Sequence, residues 1–151
     1  MITIDPFRGQ PVLHGASIRL EPLTTAVLAD YLRALREPEV IRLTGSHSRF
    51  EPLSVEEWLR TRLDHHDRAD WAVVRATDGA FLGEAVLNDL DADDEGANFR
   101  IWLAGPDVFG RNYGTEATRL VIDYAFDQVG LHRLSVEVFA HNPRARRTYE
   151  T

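Results

Sequence analysis

Apolar residues in the second half of the chain recur first at helical and then at strand spacing. Ala117, Leu120, Val121, Tyr124 and Ala125 share one helical face, and Gly130 offers the stop. Leu134, Val136, Val138 and Ala140 then alternate with Arg133, Ser135 and Glu137, the period of a strand. Beyond lies HNPRARRTYE, where Asn142 and Pro143 open a second helix by a favoured N-cap and first position. In the first half, residues 1–16 read as an extended lead-in and Ser17–Leu23 as a strand. A helix follows from Thr25 to about Arg36, with Leu28, Tyr31, Leu32 and Leu35 on one face and Pro38 as its stop. TGSHSRFEPL, residues 44–53, is a polar loop. Ser54 with Glu57 three residues on predicts the capped start of another helix carrying Trp58, Leu59 and Leu63.

Asp70–Ala76 and Ala80–Asn88 predict a hairpin turned at Asp78-Gly79, residues that tolerate positive φ. Strict alternation puts Phe81, Ala85 and Leu87 on one face of the second strand and Leu82, Glu84 and Val86 on the other. Asp89–Gly96, DLDADDEG, reads as a solvated acidic turn. Its Asp spacing imitates a calcium loop, but the sixth position is Asp94 instead of Gly and the twelfth is Arg100 instead of Glu. Ala97–Ala104 is the next strand, broken at Gly105-Pro106. The predicted order is strand, two helices, three antiparallel strands, helix, strand, helix. The crossover after Ala97 makes its flanking strands parallel neighbours within a mixed, mostly antiparallel sheet, an α/β fold with helices on both faces.

Length and composition narrow this to one domain. The 151 residues with 44% apolar content suffice for one core, so residues 1–151 are taken as one unit. The longest apolar run is four residues, which spans no bilayer, and MITIDPFRGQ carries no secretory pattern. There is no cysteine, so disulfides, thiolate metal sites and a cysteine nucleophile are excluded, and a cytoplasmic location is compatible. A net charge of −7 argues against nucleic acid and suits a cationic partner such as an amine.

The loop before the long helix, FGRNYGT, delivers Arg111, Asn112, Tyr113, Gly114 and Thr115 to a helix N-terminus, where free amides and the helix dipole suit a phosphate. Gly110–Ala117, Tyr124–Phe126, Leu131–Arg133 and Asn142–Glu150 together resemble the GNAT superfamily of acyl-CoA-dependent N-acetyltransferases. The branch they resemble contains the ribosomal-protein-alanine and spermidine acetyltransferases. Ile18–Leu23, Pro38–Val40, Trp71–Val74, Leu82–Gly83 and Ile101–Leu103 extend the likeness over nearly the whole chain.

The resemblance implies acetyl-CoA as acyl donor, no metal, and a primary amine as acceptor, either a small molecule or a protein N-terminus, attacked directly in a ternary complex. A non-catalytic acyl-CoA-binding module is the alternative. Gly110, Arg111, Asn112, Tyr113, Gly114 and Thr115 match the family's pyrophosphate loop. Phe109 replaces its polar first residue and Asn112 its first glycine; Asn tolerates the left-handed region that glycine occupies there. Leu103, Ala104 and Gly105 match the strand end that meets the pantetheine arm, and Asn142 matches a cofactor-contacting asparagine. Tyr149 matches the family's proton donor to the departing thiolate.

The general base is open. Asn98 occupies the place where many relatives carry a glutamate, and Asn cannot take a proton. Glu84 ranks first, facing Arg100 across adjacent strands; Glu137, His132, His141 and water are the others. The amine pocket is expected among the early helices, the 44–53 loop with His47 and Phe50, and the sheet. Trp58, Trp71 and Trp102 are expected in the core. The chain stops at Thr151 where relatives continue into further strands, so truncation or a homodimer covering the edge beside Leu134–Ala140 is expected.

Overall fold

The computed structural model describes residues 10–36, 38, 52–64, 68–91, 93–103, 112–138 and 145–150. Of residues 52–54, 63, 136–138 and 145–150 it describes the backbone. Seven strands form a mixed sheet in sequence order: β1 (Leu13–His14), β2 (Ile18–Pro22), β3 (Ala69–Arg75), β4 (Phe81–Asp91), β5 (Gly96–Leu103), β6 (Arg133–Val138) and β7 (Ala145–Glu150). All neighbours are antiparallel except β5 and β6, made parallel by the crossover through α3 (Tyr113–Asp123). Among the described residues before the sheet's centre, α1 (Leu28–Leu35) and α2 (Pro52–Arg60) are helical.

Alternation along the strands builds a core on each face. Trp71, Leu87, Phe99 and Ile101 turn toward α3 and meet Ala117, Val121 and Tyr124. Trp71 and Tyr124 pack edge to face at 5.5 Å, worth about 1 kcal/mol beyond the area they bury. On the other face Ala72, Val74 and Trp102 meet Tyr31 and Ala34 of α1 and Val55 and Leu59 of α2. α3 continues into a widened π-helical segment, Tyr124–Val129. It stops at Gly130, whose φ of 89° turns the chain, so that the N–H groups of Gly130 and Leu131 both donate to the Ala125 carbonyl.

Thr24 caps the first helical turn through a bond from the Ala26 N–H, and a 3₁₀ turn, Thr25–Val27, leads into α1. α2 begins at Pro52, two residues before the cap expected at Ser54, because proline suits a first helical position. The β3–β4 turn spans four residues, closed by Arg75 N–H to Ala80 O at 2.9 Å, with Gly79 at φ 72°. β4 runs on to Asp91, past the expected end at Asn88. Asp91 pairs with Gly96, and its Oδ1 accepts the N–H groups of Asp93 and Asp94. The acidic turn is therefore held by one of its own carboxylates.

The largest departure is at the C-terminal end. The helix expected over Asn142–Glu150 is a strand over Ala145–Glu150, antiparallel to β6 with Tyr149 opposite Leu134. The edge of β6 offers a row of unpaired backbone groups, and a ladder there outweighs a short helix lacking its own packing partner. That edge, expected open for a second chain, is covered by this one.

Candidate active site

Glu84 lies mid-strand on β4, opposite Ala72 of β3 and Trp102 of β5. Its face is the one alternation with Ala85 and Leu87 predicts, but a bulge just before it changes the strand upstream. Leu82 sides with Ala85 and Leu87 in the α3-side core, while Phe81 joins Trp102 on the other face. The expected faces of Phe81 and Leu82 are thus exchanged. Val73 pairs with Gly83 but Val74 with Phe81, so the register slips between them. A Cβ on Gly83 would stand 2.2 Å from the Trp102 carbonyl oxygen, which is why glycine is needed at this approach.

The Glu84 carboxylate ends among the aromatic rings beneath α1 and α2, only 4% exposed. The Tyr31 hydroxyl donates to Oε2 at 2.8 Å and the Trp102 indole N–H to Oε1 at 3.1 Å. Burial pushes its pKa up to about 7, and the like charge of Asp70 adds to the rise. The two hydrogen bonds and the more distant Arg100 pull the other way. Burial and the charge of Glu84 raise the Tyr31 phenol well above its ordinary value, so Tyr31 is the donor in their bond. Glu84 does not face Arg100 across the ladder as expected; the register sets Arg100 opposite Val86.

Asp70 is fully buried on the same face, its two oxygens held by Arg68 Nε at 2.9 Å and Nη2 at 2.7 Å. The Arg62 guanidinium lies 4.2 Å over the Trp58 ring, with Nε donating to the Trp58 carbonyl at 2.8 Å; burial lowers its pKa. Tyr31, Trp58 and Trp102 close the cluster, ring centroids 5.7 and 5.5 Å from Tyr31. Of this group the sequence reading singled out Glu84 alone as chemistry. Asp70 carried a visible signal, an acid in step with Ala72 and Val74 in an apolar strand.

A second constellation lies at the end of β5. Asn112 precedes α3 at φ 65° and ψ 9°, in the left-handed region, and its side chain makes no capping bond. The amides of Tyr113, Gly114 and Thr115 belong to the first turn, which by helix geometry has no intrahelical acceptor. The Glu116 N–H closes onto the Asn112 carbonyl at 3.0 Å. A Cβ on Gly114 would stand 3.9 Å from Leu103 Cδ1, so the helix start rests beside the end of β5. Among the described residues β5 pairs with β4 as far as Leu103 and with β6 as far as Ile101. Glu84 is paired with Trp102 at this end of β5.

The structure places Leu103, Asn112, Tyr113, Gly114 and Thr115 together on the α3 side of β5, while Glu84, paired with Trp102, turns to the opposite face under α1 and α2. Ala104, Gly105, Gly110, Arg111, His141, Asn142, His47 and Phe50 lie outside the described residues. Tyr149 is opposite Leu134, and Leu134 is beside Ala97. Ala97 is six residues from Leu103, about 20 Å along a strand. His132 is at that far end too, its Nε2 2.8 Å from Glu95 Oε2, and Arg133 pairs with Asp94. Among the described residues no group of three or more His, Asp or Glu is arranged to hold a metal ion, and no helix is long and apolar enough to cross a membrane.

Residues 17–151 match the family model for the acetyltransferase (GNAT) domain. The chain belongs to the GNAT acetyltransferases. It is 26% identical over 149 residues to FsC-acetyl coenzyme A-N(2)-transacetylase of Aspergillus fumigatus, covering 92% of this chain and 63% of that protein. The fold is also that of a spermidine N-acetyltransferase, a chimera of the Vibrio cholerae SpeG and hSSAT (TM-score 0.68, 18% identity, 82% of this chain and 71% of that one). RimL, a ribosomal L7/L12 alpha-N-protein acetyltransferase, shares it as well (TM-score 0.72, 7% identity, 84% and 71%). The family resemblance read from the motifs is borne out, and the mixed sheet with its parallel β5–β6 pair and crossover helix is the fold these proteins share.

Proposed function

We propose that the protein transfers an acetyl group from acetyl-CoA to a primary amine, with Glu84 as the base. The observation that supports this is that an uncapped helix start, beside Leu103, and a buried carboxyl group with a pKa of about 7, paired with Trp102, lie at the same end of β5 on its two faces. The amides of Tyr113, Gly114 and Thr115 suit the diphosphate, and the Leu103 end of β5 suits the pantetheine arm. Among the described residues, Asn112 adopts the conformation a glycine would supply, and its side chain makes no capping bond to these amides.

An ammonium acceptor with pKa about 10 has to lose a proton before it can attack. Glu84 takes that proton. The amine nitrogen then bonds to the thioester carbonyl carbon as the carbon–sulfur bond breaks; the nitrogen sheds its second proton to solvent, and the departing thiolate takes one up. The resemblance read in the sequence would give that last proton to Tyr149. The role requires residues 145–150 to leave β7, since Tyr149 is paired with Leu134 there. The acceptor is a small-molecule amine or a protein N-terminus; the names of the similar proteins include both kinds.

The test is thiol release from acetyl-CoA against a panel of polyamines, amino-acid amines and N-terminal peptides. Turnover with one class, lost in Glu84→Gln and reduced in Tyr149→Phe, is the expected result. Tight CoA binding without turnover across the panel would favour the non-catalytic module instead.

A further inference from the structure

Glu116 stands in the first turn of α3, where an acidic side chain would repel a bound diphosphate. Its carboxylate is turned the other way. Oε2 accepts the backbone N–H groups of Ser17 and Ile18, each at 2.9 Å, from 99 and 98 positions upstream. Ile18 opens β2 and Ser17 precedes it, within the turn closed by Gly15 N–H to the Ile18 carbonyl at 2.9 Å. Gly15 lies directly under the carboxylate: a Cβ there would stand 2.5 Å from Oε2, 3.1 Å from Cδ and 3.2 Å from Cγ. The backbone N–H of Glu116 meanwhile holds the carbonyl of Asn112, the left-handed residue that aims the first-turn amides. One residue therefore joins the β1–β2 turn to the geometry of the helix start.

We infer that Glu116 is a positioning residue for cofactor binding, tethering the first turn of α3 to β2 so that its amides are already aligned for a diphosphate. The inference rests on the reading above that this turn holds the diphosphate of acetyl-CoA. A loose turn would have to be ordered by the ligand, and that ordering is subtracted from affinity. Two amide donors on one carboxylate oxygen are a charge-assisted pair, and they offset the negative charge beside the site. Gly15 contributes by leaving room, without approaching the cofactor itself.

The test begins with calorimetry of CoA binding to the wild type; no binding would remove the diphosphate reading itself. Given binding, Glu116→Ala is expected to raise the acetyl-CoA KM and the CoA Kd by about tenfold with kcat nearly unchanged. Glu116→Gln should restore both, since its amide oxygen can accept the same two N–H groups. Gly15→Ala, which displaces the carboxylate from the opposite side, should raise the KM similarly. Added to Glu116→Ala it should cost nothing more, because its effect runs through a side chain already gone. An unchanged KM in Glu116→Ala, no rescue by glutamine, or multiplicative effects of the two alanine variants would each overturn the inference.

Discussion

The Tyr31 hydroxyl on α1 donates to Glu84 Oε2 on β4 at 2.8 Å, joining residues 53 positions apart beside the Trp102 end of β5. The bond stabilises the carboxylate over the carboxylic acid, against burial and the Asp70 charge. A base must be ionised to accept a proton, so wild-type kcat/KM should rise with pH through about 7. Tyr31→Phe deletes the hydroxyl and keeps the ring among Trp58, Phe81 and Trp102. The limb should then move to higher pH, with activity depressed near pH 7 and recovering in alkali. Glu84→Gln should lower kcat by roughly 10²–10⁴-fold and lose the limb. Comparing variants with one acceptor cancels the amine's own titration. A limb at the same pH in Tyr31→Phe and wild type would remove Glu84 from the proton path.

The same carboxyl sets a stability trend of opposite sign. Unfolded, Glu84 titrates near 4.5; folded, at about 7. Between those values the native state keeps a proton that the unfolded state has lost, so stability falls as pH rises through the window and levels off above it. Glutamine has no such slope. Urea unfolding of Glu84→Gln and wild type at pH 4.5 and 8 should show the difference shifting toward the variant by on the order of 3 kcal/mol. A difference independent of pH would mean that Glu84 titrates normally in the fold.

What could be read along the chain was what local periodicity decides. The α3 face with buried Ala117, Val121, Tyr124 and Ala125, the stop at Gly130 and the parallel β5–β6 pair all follow from short-range spacing. Asn112 was legible because few residues accept the left-handed region its place requires. Features set by distant partners were not legible. The bulge at Gly83 needs β3 on one side and the Trp102 carbonyl on the other, and it resets the alternation that assigned Phe81 and Leu82 their faces. Tyr31 reads as one more apolar position of a helix until its hydroxyl meets Glu84. Ala145–Glu150 carries a helical pattern that yields to a ladder on β6, and nothing within nine residues announces a free edge.

Gly83 permits a direct test of that bulge. In Gly83→Ala the new Cβ meets backbone atoms on β5, 2.2 Å from Trp102 O and 3.0 Å from Leu103 Cα, which no rotamer change relieves. The strands have to part at the end where Trp102 donates to Glu84. The cost should be at least the 1–3 kcal/mol of an overpacked site, lowering the unfolding midpoint by roughly 5 °C or more. Turnover should fall further than CoA affinity, since Glu84 moves while α3 does not. Equal loss of both would indicate general loosening of the fold.

Asn112 separates conformation from side-chain chemistry at the helix start. Its φ of 65° suits glycine at no cost, costs alanine about 1 kcal/mol, and is worse for a β-branched residue. Its side chain caps nothing, so removing it sacrifices no bond to the helix. Asn112→Gly should therefore bind CoA about as tightly as the wild type. Asn112→Val should drive the backbone toward negative φ, turn the Tyr113, Gly114 and Thr115 amides off their common aim, and raise the CoA Kd by about tenfold or more. Calorimetry on the three proteins, with midpoints measured alongside, distinguishes the cases. If Asn112→Gly is the weaker binder, the side chain touches the ligand. If valine binds as well as asparagine, the left-handed turn does not aim the amides, and the diphosphate cradle is elsewhere.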